Sequence, residues 1–178
     1  MQSLDIDFSN MISASLDLSK CLIESDVLPV IFCIGESGSG AVLSKMIAEL
    51  LVLKYNIKAY VYGRNKNDIN KSNLKSAVSW AEQRHKGSKI ILIVSRYVGE
   101  KEEDLIYYGK GKSLIGCSAM GDYCFLVGIN SNKIWGGKQI SLNKLADKTA
   151  KIINNGIIYS AVLKDCNKKI NMGIVWSV

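Results

Sequence analysis

The chain has one proline, Pro29, and one histidine, His85, among 178 residues. Any Ser-His or Cys-His nucleophile pair would therefore have to use His85. Long hydrophobic runs are lacking too: a membrane-crossing helix needs roughly 20 consecutive apolar residues, and stretches such as KIILIVSRYVG, Lys89 to Gly99, fall well short. No membrane partner is expected. The five cysteines, Cys21, Cys33, Cys117, Cys124 and Cys166, are odd in number and none stands in CxxC spacing. That argues against a disulfide framework or zinc motif and for buried reduced thiols. No metal site and no cofactor is expected. Repeats and low-complexity tracts are absent, and Asp5, Asp7 and Asp17 stand where a secretory leader would carry basic residues and then an apolar run. A cytoplasmic protein is the expectation.

What the chain does have is a composition of 48% apolar and 22% charged residues, enough to pack one sizeable core. We read residues 1–26 as an N-terminal extension and 27–178 as a single α/β/α domain. The formal charge of +7 would attract anionic surfaces through its summed field. Its sources do not cluster along the sequence: Lys66, Lys71 and Lys75 share one connection and helix, while Lys110, Lys112, Lys164, Lys168 and Lys169 are scattered. No aromatic-studded basic strand of the RNA-binding kind stands out, so nucleic acid is not expected as a partner.

Leu28–Ile34 (LPVIFCI) reads as a buried strand with Pro29 at its start, where a missing N–H does least harm. Ala41–Lys54 spaces Val42, Leu43, Met46, Ile47, Leu50 and Leu51 as one face of a helix. Lys58–Gly63 reads as a second strand, and Ser72–His85 as a helix capped by Ser72 with Leu74, Val78 and Ala81 inward. Lys89–Ser95 is apolar on both faces, as central parallel strands are. Strands alternating with helices predict a mainly parallel sheet. The segment from Glu100 to Asp122 reads as loop and hairpin near a sheet edge, followed by a strand over Tyr123–Ile129. Ser141–Ile158 is a last helix with Leu142, Leu145, Ala146, Thr149 and Ile153 inward, which Gly156 ends or interrupts. The tail NMGIVWSV adds an edge strand or lies across the core.

The glycine-rich turn CIGESGSGAV invites comparison with phosphate-binding loops. Gly35 and Gly40 have the separation of a G-x-x-x-x-G-K-[ST] loop, yet Ala41 and Val42 replace the lysine and the hydroxyl residue, and Lys45 is more than a turn too late. Gly38 and Gly40 begin a dinucleotide-type pattern that Leu43 breaks. Nucleotide binding is therefore disfavoured, although a helix N-terminus here would attract an anion.

The order of strand, Cys33-Ile34-Gly35 turn, helix, YVYG, helix, Ile90–Gly99 strand, Gly109-Lys110-Gly111-Lys112 and Gly121-Asp122 before a strand resembles the YyaC-type sporulation proteins. Those are similar to the spore germination protease and, more remotely, to hydrogenase maturation proteases. The resemblance spans roughly Val27 to Ile158 and implies a three-layer α/β/α sandwich of the hydrogenase maturation protease kind. In the peptidase relatives, carboxylates after the first strand and at the end of the third act together. Here Ser37 and Val42 fall in the first loop's acid positions and Ser95 in that of the third strand. A serine hydroxyl does not ionise near neutral pH, so the aspartyl chemistry is not expected.

The resemblance thus implies a catalytically degenerate binding or regulatory module of sporulation or germination. It also implies a protein or peptide ligand, spore proteins among the candidates, and leaves homo-oligomerisation open. Ligand-binding candidates are Gly35, Gly38, Gly40, Arg96, Gly109, Gly111 and Gly121. The alternative is an active hydrolase with a rearranged site in which Glu36 and Asp122 converge with Ser37 and Ser95. Cys117 and Cys124 flank Gly121-Asp122 and would reach the same cleft or serve as core. Arg96 would bind an anion at the strand exit or pair with Glu100, and His85 would sit at a helix C-terminus, favoured there by the helix dipole.

Overall fold

The computed structural model describes residues 2–4, 8–35, 38–64, 69, 72–97, 105–110, 121–129 and 137–171. The apolar runs read as strands form β2 (Val30–Gly35), β3 (Tyr60–Tyr62), β4 (Ile90–Tyr97) and β6 (Tyr123–Ile129), with β1 (Gln2–Leu4) and β5 (Leu105–Lys110) added at one side. Their order across the sheet is β1-β5-β6-β4-β2-β3. The strands β3, β2, β4 and β6 pair in parallel, whereas β5 is antiparallel to β6 and β1 to β5. The segment expected as loop and hairpin therefore contributes a full strand. Gly109 and Lys110, expected in a turn, close it in register with Cys124 and Tyr123. The cause is alternation: Ile106 and Tyr108 are buried against one layer while Tyr107 packs on the other.

Because successive strand residues face opposite ways, each central strand serves two cores. Ile31, Cys33, Ile91 and Ile93 meet α1 (Phe8–Leu22), α2 (Ser39–Glu49) and α4 (Gly137–Asn171) through Leu18, Leu43, Ile47 and Ile153. Val30, Phe32, Ile34, Ile90 and Leu92 meet α3 (Leu74–Arg84) through Leu74, Val78 and Ala81. Helices thus cover both faces in three layers. Each fully buried leucine or isoleucine contributes about 1.5–3 kcal/mol through its desolvation.

Several expectations are corrected. Residues 8–22, placed in an N-terminal extension, form a core helix in which Ala14, Leu18, Cys21 and Leu22 are buried. Ser15 donates to the carbonyls of Met11 at 2.8 Å and Ile152 at 3.1 Å, tying α1 to α4. The helix α3 starts at Leu74 with Asn73, not Ser72, at its N-cap. The last helix runs from Gly137 through Asn171, 35 residues, about 52 Å at 1.5 Å per residue. Gly156 does not end it. A Cβ there would stand 2.7 Å from Leu18 Cδ2, so the glycine lets α1 approach the helix closely. Cys21, Cys33 and Cys124 are buried as expected, whereas Cys166 is exposed on the far part of α4. Cys117, Glu100 and the tail from Met172 lie outside the described residues.

Candidate functional site

Between β2 and β3 the chain runs outward, and between β3 and β4 it crosses back over β2. The direction of winding thus reverses between β2 and β4. In open α/β sheets the crevice outside the carboxyl ends at such a reversal is where ligands bind. Gly35 ends β2 there, in register with Ser95 of β4, which in turn opposes Val127 of β6.

The glycine turn is built by backbone demands. Gly38 has φ 67°, the left-handed region that favours glycine. A Cβ on Gly35 would lie 2.3 Å from Ala41 Cα, and one on Gly40 would lie 2.5 Å from the Ser95 carbonyl oxygen. The turn therefore folds flat onto β2 and seats the start of α2 on the end of β4. Ala41 and Val42, exposed at that helix start, carry neither the cation nor the hydroxyl of a phosphate loop.

Ser95 is fully buried, and among the described residues its Oγ has no hydrogen-bond partner and neither has the Nε of Arg96, half-buried beside it. The binding candidates Gly35, Gly38, Gly40 and Arg96 thus gather with Ser95 at the carboxyl ends. Glu36 and Ser37 follow Gly35 in sequence but, like Gly111, lie outside the described residues.

Asp122 does not join them. Its carboxylate accepts the Ile90 amide at 2.8 Å and its own amide donates to the Ile90 carbonyl at 2.9 Å, clamping β6 to the first residue of β4. Lys89 Nζ stands 3.7 Å from the same carboxylate and 2.9 Å from Glu24, and it holds the Glu24 carboxyl below its usual range, chiefly by hydrogen bonding. Ile90 and Ser95 are separated along β4 by about 16 Å at 3.3 Å per residue. Convergence of Asp122 with Ser95, the basis of the rearranged hydrolase, is corrected by this placement. Gly109 and Gly121 lie at the amino ends as well; a Cβ on Gly121 would meet Leu92 Cγ at 2.8 Å, a packing role. Cys124 is buried among the residues facing α3.

His85 ends α3 among aromatic rings. It stacks on Tyr60 with centroids 4.0 Å apart, and Tyr62 Oη lies 3.0 Å from its Nε2. Reading element by element missed this group, although alternation of Tyr60 and Tyr62 along a short strand is a signal for it. Also missed was a groove of about 430 Å³ where α2 widens into a π-helical turn (Leu50–Lys54) beside α4, lined by Met46, Leu50, Leu53, Asn143 and Asp147. At its rim Asp147 accepts from Lys54 Nζ at 2.6 Å and Tyr55 Oη at 3.0 Å. The lysine's hydrogen bond, first among the causes, holds the Asp147 carboxyl below the usual carboxylate range.

Among the described residues no group of three or more His, Cys, Asp or Glu is arranged to hold a metal ion, and no helix is long and apolar enough to cross a membrane. No family model, curated protein or solved structure matches the chain.

Proposed function

We propose that this chain is a binding or regulatory module of the spore-protease-like fold that has lost hydrolysis. Its ligand, a protein or peptide, would enter the crevice at the carboxyl ends of β2 and β4. The resemblance to sporulation proteins motivates the finer fold, akin to hydrogenase maturation proteases, and the setting in sporulation or germination. The observation that carries the loss of chemistry is Ser95. The hydroxyl standing where the resemblance puts a catalytic carboxylate is fully buried under Gly40 and has no hydrogen-bond partner among the described residues. A serine acts as a nucleophile when a base takes its proton, and none of the described residues is placed to do so.

The test is to mix the purified protein with small acid-soluble spore proteins, following binding by calorimetric titration and integrity by mass spectrometry. Binding without new fragments is expected. Cleavage that Ser95→Ala abolishes would overturn the loss of hydrolysis, and absence of binding would overturn the choice of ligand.

A further inference from the structure

The sheet edge at β3 and the last turn of α3 together form an aromatic platform bordered by cations. Tyr60 lies on His85, and Trp80 meets the rings of Tyr62 and His85 edge-on at 5.5 and 6.1 Å. This mutual packing fixes the rings, yet Tyr60 is 40% and Trp80 46% exposed. Arg84 sits over the Trp80 ring at 5.6 Å. Lys58 and Arg64 flank β3, Arg84 and Lys86 flank His85, and all four are exposed. Among the described residues none of the four is ion-paired with a carboxylate. The one acid of α3, Glu82, follows Trp80 by two residues, which places it about 200° around the helix, on the other flank.

We propose that this surface binds single-stranded nucleic acid. Rigid, partly exposed rings offer faces and edges for unpaired bases, and cations around them match a phosphate backbone; such stacking is tolerant of sequence because every base has a π-face. The charge of +7 adds a long-range attraction for a polyanion. An added peptide strand fits less well, because β3 offers only three residues of edge backbone and a peptide leaves the cations without regular partners. In the sequence the pattern is divided: two tyrosines stand on a strand, the tryptophan and Arg84 on a helix with the histidine at its end, and the other cations in the segments that flank them. The rings lie toward the amino ends of the parallel strands, where Tyr60 opposes Val30, with Lys58 and Lys86 beside them and away from the crevice, whereas Arg64 follows the carboxyl end of β3. The two readings can therefore fail separately.

Fluorescence anisotropy with labelled oligothymidylate and oligouridylate tests it, at low and physiological salt. Saturable binding is expected, weakening as salt rises. Tyr60→Ala with Trp80→Ala should lower affinity about tenfold or more with little change in the salt slope. Lys58→Glu with Lys86→Glu leaves the rings untouched, and should weaken binding and flatten that slope by about one to two. Preference between the two oligomers distinguishes DNA from RNA as the natural ligand. Three results would overturn the proposal: no binding to either oligomer at low salt, binding that neither pair of substitutions alters, or an oligoglutamate peptide binding as tightly with the same response to both variants.

Discussion

Gly40 lies on the carbonyl oxygen of Ser95: a Cβ at position 40 would stand 2.5 Å from that oxygen and 3.3 Å from Arg96 Cα. This contact lets α2 start directly against the end of β4, which gives the crevice its shape. Alanine favours a helix over glycine by about 1 kcal/mol, but the obstruction here is backbone and cannot swing aside. Gly40→Ala should therefore destabilise by about 1–3 kcal/mol net, as overpacked sites do. Urea unfolding checks it, and unchanged stability would mean that α2 is not seated on β4.

Ser95 yields a prediction of the opposite sign. Its buried Oγ makes no hydrogen bond among the described residues, so removing it relieves an unsatisfied group at the expense of a very small void. Ser95→Ala should leave stability unchanged or raise it by up to about 1 kcal/mol. Ser95→Asp instead places a carboxylate in a fully buried position and should cost several kcal/mol. A stable, hydrolytically active Ser95→Asp protein would show that position 95 opens to solvent.

Asp122 is a clamp between strands, because its carboxylate holds the Ile90 amide while its own amide holds the Ile90 carbonyl. Asp122→Ala strands a partly buried amide and should cost about 1–2 kcal/mol of stability, whereas Asp122→Asn keeps an acceptor and should cost less. Ligand binding in the crevice, some 16 Å away along β4, should be unchanged in the folded variants. Loss of binding without loss of stability would return Asp122 to the functional site.

The legible parts of this fold are those with strong local period. The apolar runs of β2, β4 and β6, and the helix faces carried by Leu74, Val78 and Ala81 and by Leu142, Leu145, Ala146, Thr149 and Ile153, appear where the sequence places them. What it hides depends on distant partners. The helix α1 packs through residues as small as Ala14, Ser15 and Ser19, a weak hydrophobic signal that becomes a core face only beside α4. Gly156 reads as a stop until Leu18 is seen against it. At the site, parallel register sets Gly35 beside Ser95, with Gly40 packed on its carbonyl, whereas Asp122, a residue before a strand, is easily assigned to the wrong end of the sheet. The aromatic platform is hidden in the sequence because it joins residues of two separate elements, as the Tyr62–His85 separation of 23 shows.

Asp147 makes a prediction about acid stability. Its carboxyl is held below the usual carboxylate range by hydrogen bonds from Lys54 and then Tyr55, against an opposing effect of burial. A carboxyl depressed in the folded state contributes stability that is fully present above its unfolded value, about pH 3.9, and is lost as pH falls through the folded value. Both partners of the ion pair are well exposed, so the contribution is small and screened by salt. Asp147→Asn should therefore be slightly less stable than the native protein at neutral pH, and the difference should shrink as pH falls below the unfolded carboxyl's value, about 3.9, and the native carboxyl takes up its proton. Urea unfolding at a series of pH values from neutral into the acid range, in low salt, provides the check. A constant difference between the two proteins across that range would show that the Lys54–Asp147–Tyr55 group does not hold the rim of the groove.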